Sequence, residues 1–443
     1  MNRKCRSFTV LWIIMFMALA ACQSPATSLP TIVSLPTTTP LPTKTQTPIP
    51  TPSPTPTVTP LPTKTQSPIP SNSPTQTPTP TPLCGTLASG IVYSTPEPGR
   101  IFAKFEPPDG QVYFGFTYKL WDESPPSENA KWGDVRPFAE RICDSVKFEL
   151  NGKTPTFIKV QNLWPNPFSA ALADIEKIHV VLGPTVIPML SWGISPGITT
   201  KDIASGRLDR YITQYAQDVK AYGLPLFIKL ICGEFNGSWW EACSPKANSS
   251  LTNQDFVDAW RRVVDIFKRE GVTNVAWLWI PVAFPPAPQD MGRDQNWQAY
   301  YPGDEYVDWV GGDLNDWGKP RWLDPLYQFA INHNKPFFLS EFAIRHENTM
   351  YTHRQRINWL KAMFDYFATH PQIKAISYYN YRNYPDPNPS GSDHVFLYDG
   401  QVSYVPNVSD HDQRLIAGGE DIRALFSSRI GDPRYVSTLP TQP

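Results

Sequence analysis

Between Val112 and Tyr379 the spacing of apolar residues alternates repeatedly between the dense short runs of buried strands and the three-to-four spacing of amphipathic helices. The strand-like runs are Val112 to Phe116, Phe157 to Gln161, Val186 to Leu190, Leu226 to Cys232, Val275 to Ile280, Val307 to Gly311, Phe337 to Leu339 and Ile373 to Tyr379. Helical stripes lie between them. The clearest, Asp255 to Lys268, aligns Phe256, Ala259, Trp260, Val263, Val264 and Phe267 on one face, and Gly271 can end it. Leu208 to Tyr222, Phe168 to Ile178 and Arg354 to Phe367 read the same way. Eight strand and helix alternations predict an α/β chain folded as a (β/α)8 TIM barrel, with its chemistry at the C-terminal strand ends. A doubly wound sheet is the alternative, but no glycine-rich phosphate loop follows the first strand.

The N-terminal part obeys different rules. Arg3, Lys4 and Arg6 precede an apolar run, Phe8 to Ala21, too short to span a bilayer and suited to a signal-peptide core. It ends in Leu19-Ala-Ala-Cys22, which resembles a bacterial lipobox, so residues 1–21 are expected to be a signal peptide and Cys22 the lipidation site. Eighteen of the 49 prolines fall between Gln23 and Leu83, and TPLPTKTQ(T/S)PIP occurs at Thr39 to Pro50 and again at Thr59 to Pro70. That density excludes helix and sheet ladders, so residues 22–83 are expected to be a disordered Thr/Pro-rich linker leading into an 84–443 domain. As polyproline II it would reach at most ~190 Å at about 3.1 Å per residue. The expected location is the bacterial cell surface or the outer face of a membrane, through the lipid anchor.

Charge removes one class of partner. The chain carries 39 Lys and Arg against 40 Asp and Glu, and with five cations and no acids in residues 1–83 the remainder holds 34 against 40. A nucleic-acid partner is not expected.

Aromatic residues crowd the expected rim. Trp121, Trp164, Trp192, Trp239 and Trp240, Trp279, Trp317, and Tyr381 with Tyr384 stand at or just after successive strands. Any one of them alone reads as a core residue, but their joint placement suggests a saccharide groove. Two carboxylates stand at the same end. Glu234 ends the fourth strand in Leu230-Ile-Cys-Gly-Glu-Phe-Asn-Gly-Ser-Trp-Trp240, and Glu341 ends the seventh in Phe337-Phe-Leu-Ser-Glu-Phe342. Strands four and seven face each other across a barrel, which could bring the carboxyls to the ~5–5.5 Å of a double-displacement glycosidase. A structural carboxylate bound to a buried Arg or a backbone amide is the alternative for either alone.

Six stretches, in order, resemble glycoside hydrolase family 26, retaining (β/α)8 enzymes known for β-mannanases and including β-glucanases and xylanases. They are Ile187-Pro-Met-Leu-Ser-Trp192; Ala204-Ser-Gly-Arg-Leu-Asp-Arg-Tyr211; Gly233-Glu-Phe-Asn-Gly-Ser-Trp239; Ala259-Trp-Arg-Arg-Val263 with Asn274-Val-Ala-Trp-Leu-Trp279; Tyr301 to Gly311; and Lys335-Pro-Phe-Phe-Leu-Ser-Glu-Phe342. The resemblance covers roughly residues 110 to 385. It implies that Glu234 is the acid/base and Glu341 the nucleophile, acting on a polysaccharide, β-mannan first and β-glucan or xylan as alternatives. The substrate-binding set expected around them is Trp192, Asn236, Trp239, Trp279, Asp313 and Tyr379. Two supports usual in the family are not evident: Gly233 replaces the His before the acid/base, and Gly312-Asp-Leu-Asn-Asp-Trp317 stands where a Tyr holds the nucleophile. A glycan-binding lipoprotein weakened in catalysis is therefore the rival reading.

After export, with Cys5 removed in the signal peptide and Cys22 lipidated, Cys84, Cys143, Cys232 and Cys243 remain, an even number for an oxidising compartment. Of three connectivities, Cys232 with Cys243 is expected because it would clamp the loop beside Glu234, and Cys84 with Cys143 follows. No Cys-x-x-Cys or His-Glu-x-x-His stretch occurs, and His346, His353 and His394 read as surface or rim residues. No metal or cofactor is expected, and the chain is expected to be a monomer.

Overall fold

The computed structural model describes residue 84 and residues 103–117, 138–238, 240–283, 294–315, 318–344, 353–379 and 422–437. The chain divides into two units, Met1–Thr75 and Gln76–Pro443, and every described residue belongs to the second. The expected signal peptide, Cys22 and the whole linker therefore lie outside the described residues, as do Trp121, Trp239, Trp317, Tyr381, Tyr384, His346 and His394.

Eight parallel strands close on themselves. They are β1 (Val112–Thr117), β2 (Phe157–Trp164), β3 (Ile187–Ile194), β4 (Leu226–Ile231), β5 (Val275–Trp279), β6 (Trp309–Asn315), β7 (Phe337–Ala343) and β8 (Ile373–Tyr379). Neighbours pair in sequence order, and β8 pairs with β1, which pairs with β2, so the sheet has no open edge among these eight. A two-residue strand, β9 (Tyr435–Val436), pairs in parallel with the start of β1. The helices are α1 (Phe138–Phe148), α2 (Phe168–Leu182), α3 (Thr200–Ala204), α4 (Asp209–Tyr222), α5 (Asn253–Arg269), α6 (Asp324–Asn332), α7 (His353–Thr369) and α8 (Ile422–Ile430). The expected (β/α)8 barrel is present.

Local sequence explains the best of these elements. Helix α5 opens with a capping box, Thr252 bonding the Asp255 N–H while the Asp255 carboxylate returns to the Thr252 N–H. Its apolar stripe is buried on the barrel, and the chain leaves through Gly271 at φ 72°, a left-handed conformation natural to glycine.

Two apolar layers follow from the period-2 alternation of the strands. Odd-numbered Tyr113, Phe157, Ile187 and Phe227, with Trp309 and Phe338, point inward to fill the barrel. Their rings interlock as Phe157–Phe338 at 4.9 Å, Phe227–Phe338 at 5.4 Å and Phe227–Trp309 at 5.7 Å between centroids. The other parity, Phe114, Ile158, Leu190, Ile228 and Val310 among them, packs outward against the helices. The inner aromatic layer is the floor of the site: Lys159 stands two residues beyond Phe157 on β2, and Lys229 two beyond Phe227 on β4.

Candidate active site

Glu341 lies within β7, with the strand continuing two residues past it to Ala343. Glu234 follows β4 by three residues, in a turn whose residues Ile231 and Glu234 both take positive φ, 66° and 60°. A β-branched residue in that region is unfavourable, and such conformations concentrate where side-chain aim matters. The turn is fixed by the Glu234 N–H donating to the Ile280 carbonyl (2.9 Å) and by the Cys232–Cys243 disulfide. Cys84–Cys143 is the other disulfide, so both expected pairings are present.

The two glutamates meet as the strand positions imply. One carboxylate oxygen from each of Glu234, Asp313 and Glu341 lies within 4.8 Å of the other two. That spacing fits the ~5–5.5 Å between the carboxyls of a double-displacement pair and is short of the ~6.5–9.5 Å that leaves room for an inverting water. Three carboxylates could also cradle a cation, but two ammonium groups already sit on them. Lys159 donates to Glu341 Oε1, and Lys229 donates to Asp313 Oδ2 at 2.5 Å while lying 3.6 Å from Glu341 Oε1. Lys229 also donates to Ser340 Oγ (3.1 Å), whose hydroxyl in turn donates to Asp313 Oδ1. A metal is therefore not needed to explain the cluster.

Asn315, at the end of β6, donates its amide to Glu341 Oε2 at 3.4 Å. Because an ionised carboxylate only accepts, the amide nitrogen must be the end that faces Glu341, which directs the buried Asn315 Oδ1 elsewhere, where it has no partner among the described residues. The support that seemed missing after the sixth strand comes from this residue. The space that a side chain at position 233 would take is filled from β4. Residue 233 is Gly, and a Cβ built there would overlap Lys229 Cε and lie 2.7 Å from its Nζ.

The charges sort the two glutamates into opposite states. Burial raises the Glu234 pKa, and the carboxylates of Asp313 and Glu341 raise it further, to about 8, against Lys229 and Lys159. At Glu341 burial opposes ionisation, but Lys159 and Lys229 overcome it and bring the carboxyl down to about 2. Asp313 is raised by burial and by Glu341, with Lys229 opposing. For Lys229 burial works against the charge, and Asp313, Glu341 and Glu234 outweigh it, so the ammonium is held. Two cations, two anions and one neutral acid balance. A protonated carboxyl beside an ionised one is the arrangement that lets two identical side chains do acid and nucleophile work at one pH.

The expected substrate-binding set divides. Trp192 and Trp279 are fully buried in the layer between barrel and helices, not on the rim. Trp192 stacks on Tyr215 at 4.0 Å and donates its indole N–H to Tyr211, and Trp279 donates to the Tyr300 carbonyl. Their strand parity is the cause: Met189 and Leu278 point into the barrel, so Trp192 and Trp279 point out. Trp164 is buried there too. Asn236 is also fully buried, its oxygen accepting from the Val282 N–H and its nitrogen donating to the Val282 carbonyl, so it pins the loop after β5 rather than facing a ligand. Asp313 belongs to the charged cluster and is closed to solvent by Lys229 and Ser340. Tyr379, half-buried at the end of β8, has the Lys159 ammonium 5.7 Å from its ring centre and remains at the mouth. Trp239 lies outside the described residues. Lys159, Lys229, Ser340 and Asn315 were not anticipated, although a lone lysine in an otherwise apolar strand is itself a signal, since a buried cation requires a partner.

Comparison with known proteins agrees with this geometry. A family model described as glycosyl hydrolase family 26 matches residues 195–381, which carry β4 to β8 and both glutamates. Over 249 residues the chain is 30% identical to endoglucanase H of Acetivibrio thermocellus, covering 53% of this chain and 25% of that protein. It is 24% identical over 157 residues to a β-1,3-xylanase of a Vibrio species, covering 34% of this chain and 30% of the relative. The chain thus spans under a third of the length of the curated relatives it matches. Its fold is shared with an endo-β-1,4-mannanase double mutant from Cellulomonas fimi, at TM-score 0.50 and 16% identity, covering 74% of this chain and 72% of that one. The segment similar to glycosyl hydrolase family 26 holds five of the eight strands of the closed parallel barrel, with one glutamate just after β4 and the other within β7.

Proposed function

We propose that the barrel hydrolyses β-glycosidic bonds of a polysaccharide by double displacement. The observation that carries this reading is the meeting of Glu234 and Glu341 at the C-terminal ends of the barrel strands, an oxygen of each within 4.8 Å, with the ammonium groups of Lys159 and Lys229 drawn to Glu341. Burial and the neighbouring carboxylates favour the protonated form of Glu234, and the lysines the ionised form of Glu341. Glu341, ionised, attacks the anomeric carbon as Glu234 gives its proton to the leaving glycosidic oxygen. A glycosyl ester on Glu341 and an ionised Glu234 result. Glu234 then takes a proton from water as the water oxygen attacks the same carbon, releasing Glu341 and restoring both groups with the anomeric configuration retained.

For the sugar, sequence likeness points to β-glucan through the endoglucanase and to β-1,3-xylan through the xylanase, while the likeness to a mannanase is one of fold. β-Glucan is therefore the first substrate to test, followed by β-mannan and xylans. Anchoring through Cys22 is part of the same reading, supported by the order of basic residues, apolar run and Leu19-Ala-Ala-Cys22. The test is a polysaccharide panel with wild type and Glu341→Ala, read by reducing ends and by NMR of the first-formed anomer. Hydrolysis by wild type alone, with retained configuration, is expected; an inverted first product would overturn the mechanism.

A further inference from the structure

Gly233 and Lys229 share one space. The Lys229 side chain rises from β4, is almost wholly buried, and runs through the volume that any side chain at position 233 would need on its way to Asp313 and Glu341. Lys159 reaches the same Glu341 oxygen from β2. We propose that Lys229 and Lys159 are positioning residues that together hold Glu341 as an oriented carboxylate, and that the bare backbone at Gly233 is the condition for Lys229 to do so. This inference rests on the reading of Glu341 as nucleophile.

Every group around Glu341 fits the proposal. From β2 it faces Lys159; from β4 and its turn, Lys229 and Glu234; from β6, Asp313 and Asn315; and within β7, Ser340 completes the Lys229–Asp313 pair. Tyr379 of β8 lies beside Lys159. The remaining strands, VYFGFT, IPMLSWGI and VAWLW, carry no charged residue. Among the described residues these two ammonium groups are the only cations in contact with the carboxylate, and both are spent on Glu341 and Asp313. They are not free to receive an anionic sugar. Two cations approaching one carboxylate from different strands fix its direction as well as its charge, while Asn315 holds the second oxygen.

Four variants test this: Lys159→Met, Lys229→Met, Gly233→Ala and the double variant Lys229→Met/Asp313→Asn, which removes the buried pair together should the single loss prevent folding. In Gly233→Ala the group that must yield is the far end of a lysine, so the backbone is expected to hold and the ammonium to leave its partners. The first measurement needs no substrate. With 13C-labelled glutamate, and the Glu341 resonance assigned by its loss in Glu341→Gln, the titration midpoint of Glu341 should rise by about 1 to 3 pH units in each single variant, and by less in the double variant, where a neighbouring anion is lost with the cation. On a hydrolysed polysaccharide the acidic limb of kcat/KM should rise with it, and kcat should fall ~10²-fold with KM changed far less. Adding Gly233→Ala to Lys229→Met should change nothing further, because both remove the same contact. A Glu341 midpoint that stays at the wild-type value in both lysine variants, or a Gly233→Ala protein with wild-type titration, would overturn the proposal. Failure to cleave any polysaccharide would instead count against the catalytic reading, and the carboxyl titration would still decide the role of the lysines.

Discussion

Glu234 and Glu341 carry the same functional group within 4.8 Å, yet one is held protonated and the other ionised. The difference lies in what reaches each carboxyl. Glu341 receives Lys159, Lys229 and Asn315 directly, while Glu234 is raised first by burial and then by the two neighbouring carboxylates.

A bell-shaped dependence of kcat/KM on pH is expected from this pair. The rate needs Glu341 ionised and Glu234 protonated, so it should rise as pH climbs through about 2 and fall as pH climbs through about 8. Because the two titrate together, the limbs report the pair. In Asp313→Asn one of the charges that raise Glu234 is gone, and the basic limb should move to lower pH. An unmoved basic limb in a folded Asp313→Asn protein would contradict the assignment.

Stability should follow the opposite logic at Glu234. Its folded pKa lies above the unfolded value of about 4.3, so folding takes up a proton between those limits. The stabilisation is complete below the unfolded value and is lost as pH rises through about 8. Glu234→Gln removes the titration and should be the more stable protein at high pH, by ~1–3 kcal/mol after allowing for its partial exposure. Thermal melts of both proteins at pH 5 and pH 8.5 give the comparison, with the gap wider at the higher pH.

Trp192→Ala should act on the fold rather than on sugar affinity. The indole is fully buried against Tyr215 and Trp164 and donates to Tyr211. Truncating a buried Trp typically costs ~3–5 kcal/mol. Denaturant unfolding should show that loss, while the Kd for an oligosaccharide, measured where the variant is still folded, should change little. A selective loss of binding at unchanged stability would return Trp192 to the substrate groove.

How far the sequence could be read depended on which face of each strand mattered. Buried parallel strands are apolar on both faces, so runs such as Ile373 to Tyr379 gave their boundaries directly, and the glutamates were found because a charged residue just beyond such a run stands out. The tryptophans misled for the same reason. Position after a strand placed them at the rim, whereas parity with Met189 and Leu278 turned Trp192 and Trp279 outward. Parity also marks what was overlooked, since Lys159 and Lys229 share the inward face with Phe157 and Phe227. Asn315 left no such mark. Its contact with Glu341 depends on the β6–β7 register, which shifts between Gly312 and Asp313, and no local spacing encodes that shift.

The anchor is tested at one sulfur. If Cys22 carries the lipid, Cys22→Ser should move the protein from the membrane fraction to the soluble one or block its processing. Mass spectrometry of the N-terminal peptide should show a diacyl addition on wild type and none on the variant. A wild-type peptide without that addition would leave the apolar run as an ordinary cleavable signal.

The roles of the two glutamates separate by chemistry. An activated aryl glycoside has a leaving group that needs little protonation, so Glu234→Ala should complete much of the first displacement. It should then stall with the sugar esterified to Glu341, because no base remains to activate water, and intact-mass spectrometry should show the adduct. Azide needs no general base and should release that intermediate as a glycosyl azide of retained configuration. Glu341→Ala should fail on good and poor leaving groups alike, since protonating the leaving oxygen supplies no nucleophile. Azide added to Glu341→Ala can only attack from the vacated face, so any product it gives should carry the inverted configuration. Retained azide product from Glu341→Ala, or an adduct mapped to any residue but Glu341 in Glu234→Ala, would reverse or abolish the assignment. The same pair of variants also weighs the lysines: with Glu341 removed, Lys159 loses the carboxylate it donates to, and its ammonium becomes available to hold the incoming anion.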